Sequence, residues 1–194
     1  MEKSVIFLDA EFAREDHRLY SLGAVCTDGS LFRGTLDSRF RQFLNKGHYL
    51  CGHNIVHHDW ALLKPFLSET YQPIIDTLYL SALLFPKKPY HRLVKDEKIF
   101  SEELCNPVDD ALKCQTLFAE EVRAFKALPD EMQQIYYGLL KQAEEFRGFF
   151  AYLDFYKNPN ELSGLIAKTF EGKICQHSDL SHLARQYPME LAYA

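Results

Sequence analysis

Two acidic side chains near the start of the chain have the spacing of metal ligands. Asp9 and Glu11 follow a short apolar run that begins with the β-branched residues Val5 and Ile6, a pattern typical of a buried strand. Side chains at positions i and i+2 of a strand lie on the same face, so the two carboxylates should converge. Like charges this close cost free energy unless a cation joins them or one is neutralised. Carboxylate oxygens suit a hard divalent cation, and we therefore predict a metal site here.

Three later segments carry acids or hydrogen-bonding groups at the junctions of predicted elements. Gly52-His53-Asn54 ends a short strand, and Asp59 begins the helix that follows. Asp76 closes another short strand directly before Thr77 and Leu78. Asp110 lies in the first turn of a later helix, where an acid is favourable. Asp110 could therefore complete a set of four carboxylates with Asp9, Glu11 and Asp59.

The elements that must position these residues follow from apolar periodicity and turn signals. We predict strands at 5–8, 20–26, 31–35, 49–52 and 73–76, and helices at 39–44, 59–67, 77–84 and 108–125. Asn106 should cap the last of these helices, with Pro107 at its first position and Asp109 facing solvent. Residues 85–91 should form a loop. A long amphipathic helical stretch is predicted over 130–156, with a break at 158–160.

Bulk composition is typical of a soluble globular protein, with 194 residues, 47% hydrophobic and 25% charged. The five cysteines form no C-x-x-C pair, which argues against a disulfide framework and a zinc ribbon. The start of the chain has no signal-peptide form, so we expect a cytoplasmic protein. The net charge of −5 disfavours a non-specific nucleic-acid binder but not an enzyme that handles nucleic acid through metals.

Taken in order, these motifs resemble the DEDD exonuclease superfamily, the DnaQ-like branch of the ribonuclease-H-like fold. The matching segments are Asp9-Ala10-Glu11, Gly52-His53-Asn54 with Asp59, Asp76-Thr77-Leu78 and Asp109-Asp110-Ala111. The resemblance implies an α/β fold with a ribonuclease-H-like mixed five-stranded sheet flanked by helices. It places the exonuclease-like domain at residues 1–125. Residues 126–194 would be a helical extension, either packed on that domain or leading to a missing C-terminal region.

The resemblance also implies a metal-dependent 3′–5′ exonuclease acting on single-stranded nucleic acid, with DNA favoured over RNA. Asp9 would bridge two Mg²⁺ or Mn²⁺ ions. Glu11 and Asp110 would complete the ligands of one ion, and Asp59 would serve the other. In two subgroups of the family the general base lies five or four residues before the last Asp, which here are Cys105 and Asn106. Neither is a usual base, so Cys105 and His91 are the candidates.

Substrate contacts are expected from the basic loop and from the strand ends. Phosphate-binding candidates are Lys87, Lys88, Arg92 and Lys95, with His91 in the same run. Tyr90 or Phe12 could stack on the terminal base. His53 and Asn54 could help to seat the nucleotide.

A second resemblance concerns the exonuclease-like domain at the N-terminus of some bacterial RecQ-type DNA helicases. It is carried by residues 86–96, by the 106–110 frame and by the ending Glu190-Leu191-Ala192-Tyr193-Ala194. It implies a helicase region of the same polypeptide as a partner. The apolar ending, which has no helix stop signal, suggests a fragment of a longer protein, although a frayed natural terminus is the alternative.

Other readings stay open at this point. A degenerate exonuclease domain could bind nucleic acid or a partner without cutting, which the unusual base favours. A hydrolase that trims short oligonucleotides is a third possibility, favoured by the short separation of Asp9 and Asp59. A zinc site made by His53, His57 and His58 is the less favoured alternative for the metal. An apolar helical stripe that includes Phe146 and Leu153 should be core or a face for the missing remainder.

Overall fold

The computed structural model describes residues 3–12, 19–66, 72–93 and 106–194, apart from the side chains of 61 and 66. The strands are β1 (Val5–Phe12), β2 (Leu19–Cys26), β3 (Leu31–Gly34), β4 (Tyr49–Gly52) and β5 (Ile74–Asp76). The helices of the sheet region are α1 (Ser38–Leu44), α2 (Asp59–Leu63) with a 3₁₀ turn (Lys64–Phe66), α3 (Thr77–Leu84) and α4 (Pro107–Ala127). The later helices are α5 (Asp130–Leu140), α6 (Glu144–Leu153), α7 (Leu162–Thr169), α8 (Leu180–Gln186) and α9 (Pro188–Tyr193).

The five strands form one mixed sheet in the order β3-β2-β1-β4-β5. β1, β2 and β3 run antiparallel to one another in turn, joined between β2 and β3 by a tight turn with Gly29 at a positive φ of 84°. β1, β4 and β5 are parallel, so their carboxyl ends lie at the same edge of the sheet. The predicted α/β class and the five strands are confirmed. β1 is longer than expected, because pairing with β2 continues through Asp9 and Glu11.

The helical stretch predicted over residues 130–156 consists of two helices, α5 and α6, rather than one. α5 ends at Leu140 and α6 begins at Glu144, and the Ala143 N–H donates to the Leu140 carbonyl in the turn between them. The turn lets the apolar faces of two short helices meet the core at different angles, which one straight helix could not do. The cap of α4 is as expected: the Asn106 side chain accepts from the Val108 N–H, and Pro107 is the first helical residue.

Two groups of buried apolar side chains cover the two faces of the sheet. One contains Ile6, Leu8 and Leu22 of the sheet with Phe40 and Leu44 of α1. The other joins the sheet to α3, α4, α5, α6 and α7. In this second group α6 lies directly on β5, and the predicted apolar stripe on α6 is core: Phe146, Phe149 and Phe150 are buried.

The predicted division of the chain at residue 125 stays a prediction, although buried side chains from both parts share one cluster. In the part of the chain that the structure describes, no helix combines the length and the apolar character that crossing a bilayer requires.

Candidate metal centre

The candidate site lies where the carboxyl ends of the three parallel strands meet the first turn of α4. β1 runs past the last residue that it pairs with on β4, so Asp9 and Glu11 extend beyond the β1–β4 ladder. The loop after β4 leads into α2, which begins with Asp59, and β5 ends at Asp76. These connections place Asp9, Glu11, Asp59 and Asp76 near one edge of the sheet.

Three carboxylates converge although they come from distant parts of the sequence. One oxygen from each of Asp9, Glu11 and Asp110 lies within 4.8 Å of the others. Asp110 is buried, whereas Asp109 beside it is exposed, as predicted for the neighbouring position. An all-oxygen set of this size suits a hard divalent cation, which would also offset the mutual repulsion of the carboxylates. The donor set therefore fits Mg²⁺ or Mn²⁺.

Asp59 lines the same cleft but is not part of the 4.8 Å group. The residue is only 3% exposed, and this burial raises the pKa of the carboxyl above its usual value. Three groups oppose that shift: His58, whose Nδ1 lies 3.4 Å from Asp59 Oδ1, and the backbone N–H groups of Ala10 and of Asp59 itself. Asp59 is thus fixed at the base of a cleft of about 600 Å³ that also contains the other three acids.

Asp76 has a different role from the four acids that line the cleft, which are Asp9, Glu11, Asp59 and Asp110. Its buried carboxylate accepts hydrogen bonds from the backbone N–H groups of Asn54, Val56 and Leu78. Asn54 has a positive φ of 63°, a conformation that Asn tolerates better than most residues. The bonds to Asp76 hold this bend, which turns the chain from β4 into α2. Asp76 therefore positions Asp59 from a distance.

The three neighbouring histidines do not form a metal-binding group within the described ranges. His53 lies in the cleft with Nδ1 3.0 Å from Thr77 Oγ1, and its buried Nε2 has no hydrogen-bond partner among the residues that the structure describes. Burial lowers the pKa of His53 to about 4. His57 Nε2 lies 2.9 Å from Glu145. His58 stands at the rim, where Asp59 raises its pKa and the Phe12 ring packs against it edge-on.

The basic loop reaches the site through Arg92, which lines the acidic cleft together with His53 and Asn54. The loop residues Lys88, Tyr90 and His91 instead line a neighbouring cleft against α4. His91 Nδ1 lies 3.0 Å from Ser81 Oγ, so the structure does not aim this ring at the carboxylates. Lys87 is exposed beside them. Cys105 and Lys95 lie outside the described residues.

Sequence reasoning missed two contacts at this site. Lys113 Nζ lies 3.4 Å from Asp110 Oδ1, one helical turn further along α4. The i, i+3 spacing of an acid and a lysine on a predicted helix was the signal that could have revealed this pair. The second missed contact is the set of three hydrogen bonds that Asp76 accepts from backbone N–H groups. No local sequence pattern predicts these bonds, because they depend on how the strand ends approach each other.

No protein-family model matches this chain, and neither the curated proteins nor the solved structures contain a significant match to it.

Proposed function

We propose that this protein is a metal-dependent 3′–5′ exonuclease that hydrolyses phosphodiester bonds at the 3′ end of single-stranded nucleic acid, with DNA favoured. The observation that carries the proposal is the convergence of Asp9 and Glu11 with Asp110, which is about a hundred residues away in sequence. The strand order β3-β2-β1-β4-β5 is compatible with the ribonuclease-H-like arrangement that the motifs imply.

Asp9, Glu11 and Asp110 would hold one divalent cation, and Asp59 would serve a second. When bound, such ions supply positive charge to the attacking and leaving oxygens of an in-line phosphodiester displacement. The chain itself contributes the carboxylates, and His58 Nδ1 lies 3.4 Å from Asp59 Oδ1. Arg92 lines the cleft, and its guanidinium group would bind a substrate phosphate. His53 is neutral at pH 7, because its pKa lies near 4, and so adds no competing positive charge.

The direct test is degradation of a 5′-labelled single-stranded DNA oligonucleotide with Mg²⁺ or Mn²⁺. We expect a ladder that shortens from the 3′ end. Asp110→Asn should lower the rate by about a hundred- to a thousandfold, since removing transition-state charge stabilisation typically costs this much. Asp109→Asn is the matched control, because this neighbour is exposed and should stay within about twofold of the unmodified protein. Equal loss in both variants would contradict the assignment, and a matching RNA strand would measure the preference for DNA.

A nucleic-acid-binding or partner-binding module that no longer cuts is the second candidate. Asn106 favours it: this residue occupies one of the two base positions of the family, and its side chain serves as the cap of α4. Tight binding of single-stranded DNA that survives Asp9→Ala, without cleavage under either metal, would establish this candidate. If the protein cuts, a series of substrate lengths separates a processive exonuclease from a hydrolase of short oligonucleotides.

A further inference from the structure

Lys113 connects the acidic cleft to a second cleft on the same side of α4. Its Nζ lies 3.4 Å from Asp110 Oδ1, and its side chain is 31% exposed. An ion pair with a partly exposed lysine contributes little stability and can change partners. Lys113 therefore offsets part of the negative charge of Asp110, a predicted metal ligand, while its own side chain stays partly exposed to solvent.

The second cleft lies between α4 and the loop at residues 88–93 and has a volume of about 600 Å³. Its cationic side chains are Lys88, Arg92 and Lys113, and its acidic one is Glu120, which lies 4.0 Å from Lys88. The Tyr90 ring also lines it, and this residue is 81% exposed. Positive charge with an accessible aromatic ring suits a single strand, whose phosphates need cations and whose bases need a flat surface.

The two clefts adjoin each other, because Arg92 and Leu93 line both. Their charges differ in sign: one contains four carboxylates, and the other has three cations against one acid. A strand that entered the acidic cleft at its 3′ end would place its next phosphates beside the cationic side chains.

We propose that the second cleft binds the phosphates that precede the 3′-terminal nucleotide, and that Lys113 exchanges Asp110 for one of them when a divalent cation engages Asp110. The inference rests on the proposed exonuclease function. It makes Lys113 a positioning residue that couples metal binding to strand binding. Before the metal binds, Lys113 competes with it; afterwards, the same ammonium group attracts the substrate.

Lys113→Met should therefore change two affinities in opposite directions. Without nucleic acid, the variant should bind Mn²⁺ about two- to fivefold more tightly, which is the range expected for removing a competing partly exposed ion pair. Titration of Mn²⁺, followed by electron paramagnetic resonance of the free ion, measures this without any turnover. Lys126→Met is the matched control, since Lys126 is exposed near the other end of the same helix and should leave the affinity unchanged.

The second half of the test compares an eight-nucleotide DNA with the p-nitrophenyl ester of thymidine 5′-monophosphate, which has no preceding phosphates. Lys113→Met and Lys88→Met should each raise KM for the oligonucleotide by more than for the ester, and kcat should change less than KM. The slope of log affinity against log salt should fall by about 0.7 for each removed contact with a single strand. Lys113→Arg should restore oligonucleotide binding, because it keeps the positive charge.

The outcomes distinguish the two proposals. No hydrolysis of either substrate by the unmodified protein defeats the exonuclease. Hydrolysis of both substrates, with unchanged Mn²⁺ affinity and an unchanged oligonucleotide KM in Lys113→Met, defeats the coupling alone. A rise of KM in Lys126→Met equal to that in Lys113→Met would also overturn it, because the effect would then be one of overall charge.

Discussion

Two buried carboxyl groups in this protein, those of Asp76 and Glu121, differ in whether their oxygens are hydrogen-bonded. Asp76 accepts three backbone hydrogen bonds, which replace the hydrogen bonds to water that its carboxylate lost on folding. Glu121 on α4 is fully buried, and neither of its carboxyl oxygens has a hydrogen-bond partner among the residues that the structure describes. Burial, together with the nearby Cys114 and Asp76, raises the pKa of Glu121 to about 10. Glu121 is therefore a neutral acid at pH 7.

Glu121 should make the protein less stable as the pH rises. The folded state keeps the proton up to about pH 10, whereas the unfolded chain releases it near 4.5. Between these values the folded state binds more protons, so the free energy of unfolding falls with increasing pH, by at most about 1.4 kcal/mol per pH unit. Glu121→Gln should remove this slope, and urea unfolding at pH 5.5, 7 and 8.5 measures it.

Glu120→Gln is the control for this slope. Glu120 is the exposed neighbour on the same helix and should leave the pH dependence unchanged. Parallel stability curves for Glu121→Gln and the unmodified protein would show that Glu121 does not titrate as the structure indicates.

At the scale of single residues, the sequence predicted the types of the site residues but not all of their contacts. Asp9 and Glu11 share a face because of strand periodicity, which a sequence displays directly. Sequence periodicity does not reveal that the Glu121 carboxyl lacks hydrogen-bond partners among the described residues. An isolated Glu on an amphipathic helix is usually solvated, whereas tertiary packing around α4 buries this one.

At the scale of elements, one glycine determines how closely α4 approaches the sheet. Gly23 of β2 is the pairing partner of Asp9 on β1. A Cβ at this position would lie 2.3 Å from both the Pro107 carbonyl carbon and the Val108 nitrogen. The first turn of α4 thus contacts the backbone of β2, and this contact brings Asp110 to the two acids of β1.

Gly23→Ala should therefore damage the site without changing any ligand. The added methyl group meets backbone atoms that cannot rotate away, so the start of α4 must shift. We expect weaker Mn²⁺ binding, at least a tenfold lower exonuclease rate and a stability loss of about 1–3 kcal/mol. Metal titration and thermal unfolding measure the first and last of these effects.

The control is Gly34→Ala in the same sheet, where the added Cβ would meet only the end of the Phe32 ring. It should leave metal binding unchanged. Equal metal affinity in Gly23→Ala and the unmodified protein would show that α4 can move without displacing Asp110.

Sequence patterns predicted most elements because their signals are local. The cap at Asn106 with Pro107 and the D-G turn at Asp28-Gly29 are examples. The break between α5 and α6 was missed because residues 141–143 contain no Gly or Pro. There, packing of two apolar faces decides the geometry rather than a breaker residue.

At the scale of the whole molecule, aromatic side chains join the two predicted parts of the chain. The Phe118 and Phe125 rings of α4 contact the Phe149 ring of α6 at centroid distances of 6.3 and 5.4 Å. Gly148 presses α6 against β5, where a Cβ would overlap the Ile74 carbonyl. The sheet therefore shares its core with helices that follow residue 125.

We expect a chain that ends at residue 128 to lose cooperative unfolding. It lacks the buried side chains of α5, α6 and α7, so a large apolar area of β5 and α4 would face water. Circular dichroism during heating and light scattering at room temperature would detect the loss of structure and the aggregation.

A chain that ends at residue 172 is the matched comparison. It lacks only α8 and α9, neither of which contains a buried residue, and should still unfold cooperatively. Cooperative unfolding of the shorter chain would instead support residues 1–125 as an independent domain.

The contact between Lys3 and the end of α6 bears on how the protein acquires its structure. Lys3 Nζ donates to the Ala151 and Tyr152 carbonyls and pairs with Asp154 at 2.6 Å, across almost 150 residues of sequence. Contacts between such distant residues slow folding, because a large chain entropy is lost before they form. β1, which follows Lys3 in the chain, pairs with β2 and β4 of the sheet, whereas the Lys3 contacts can close only once α6 has formed. We therefore expect the contacts of Lys3 with the end of α6 to be among the last to form when the protein refolds.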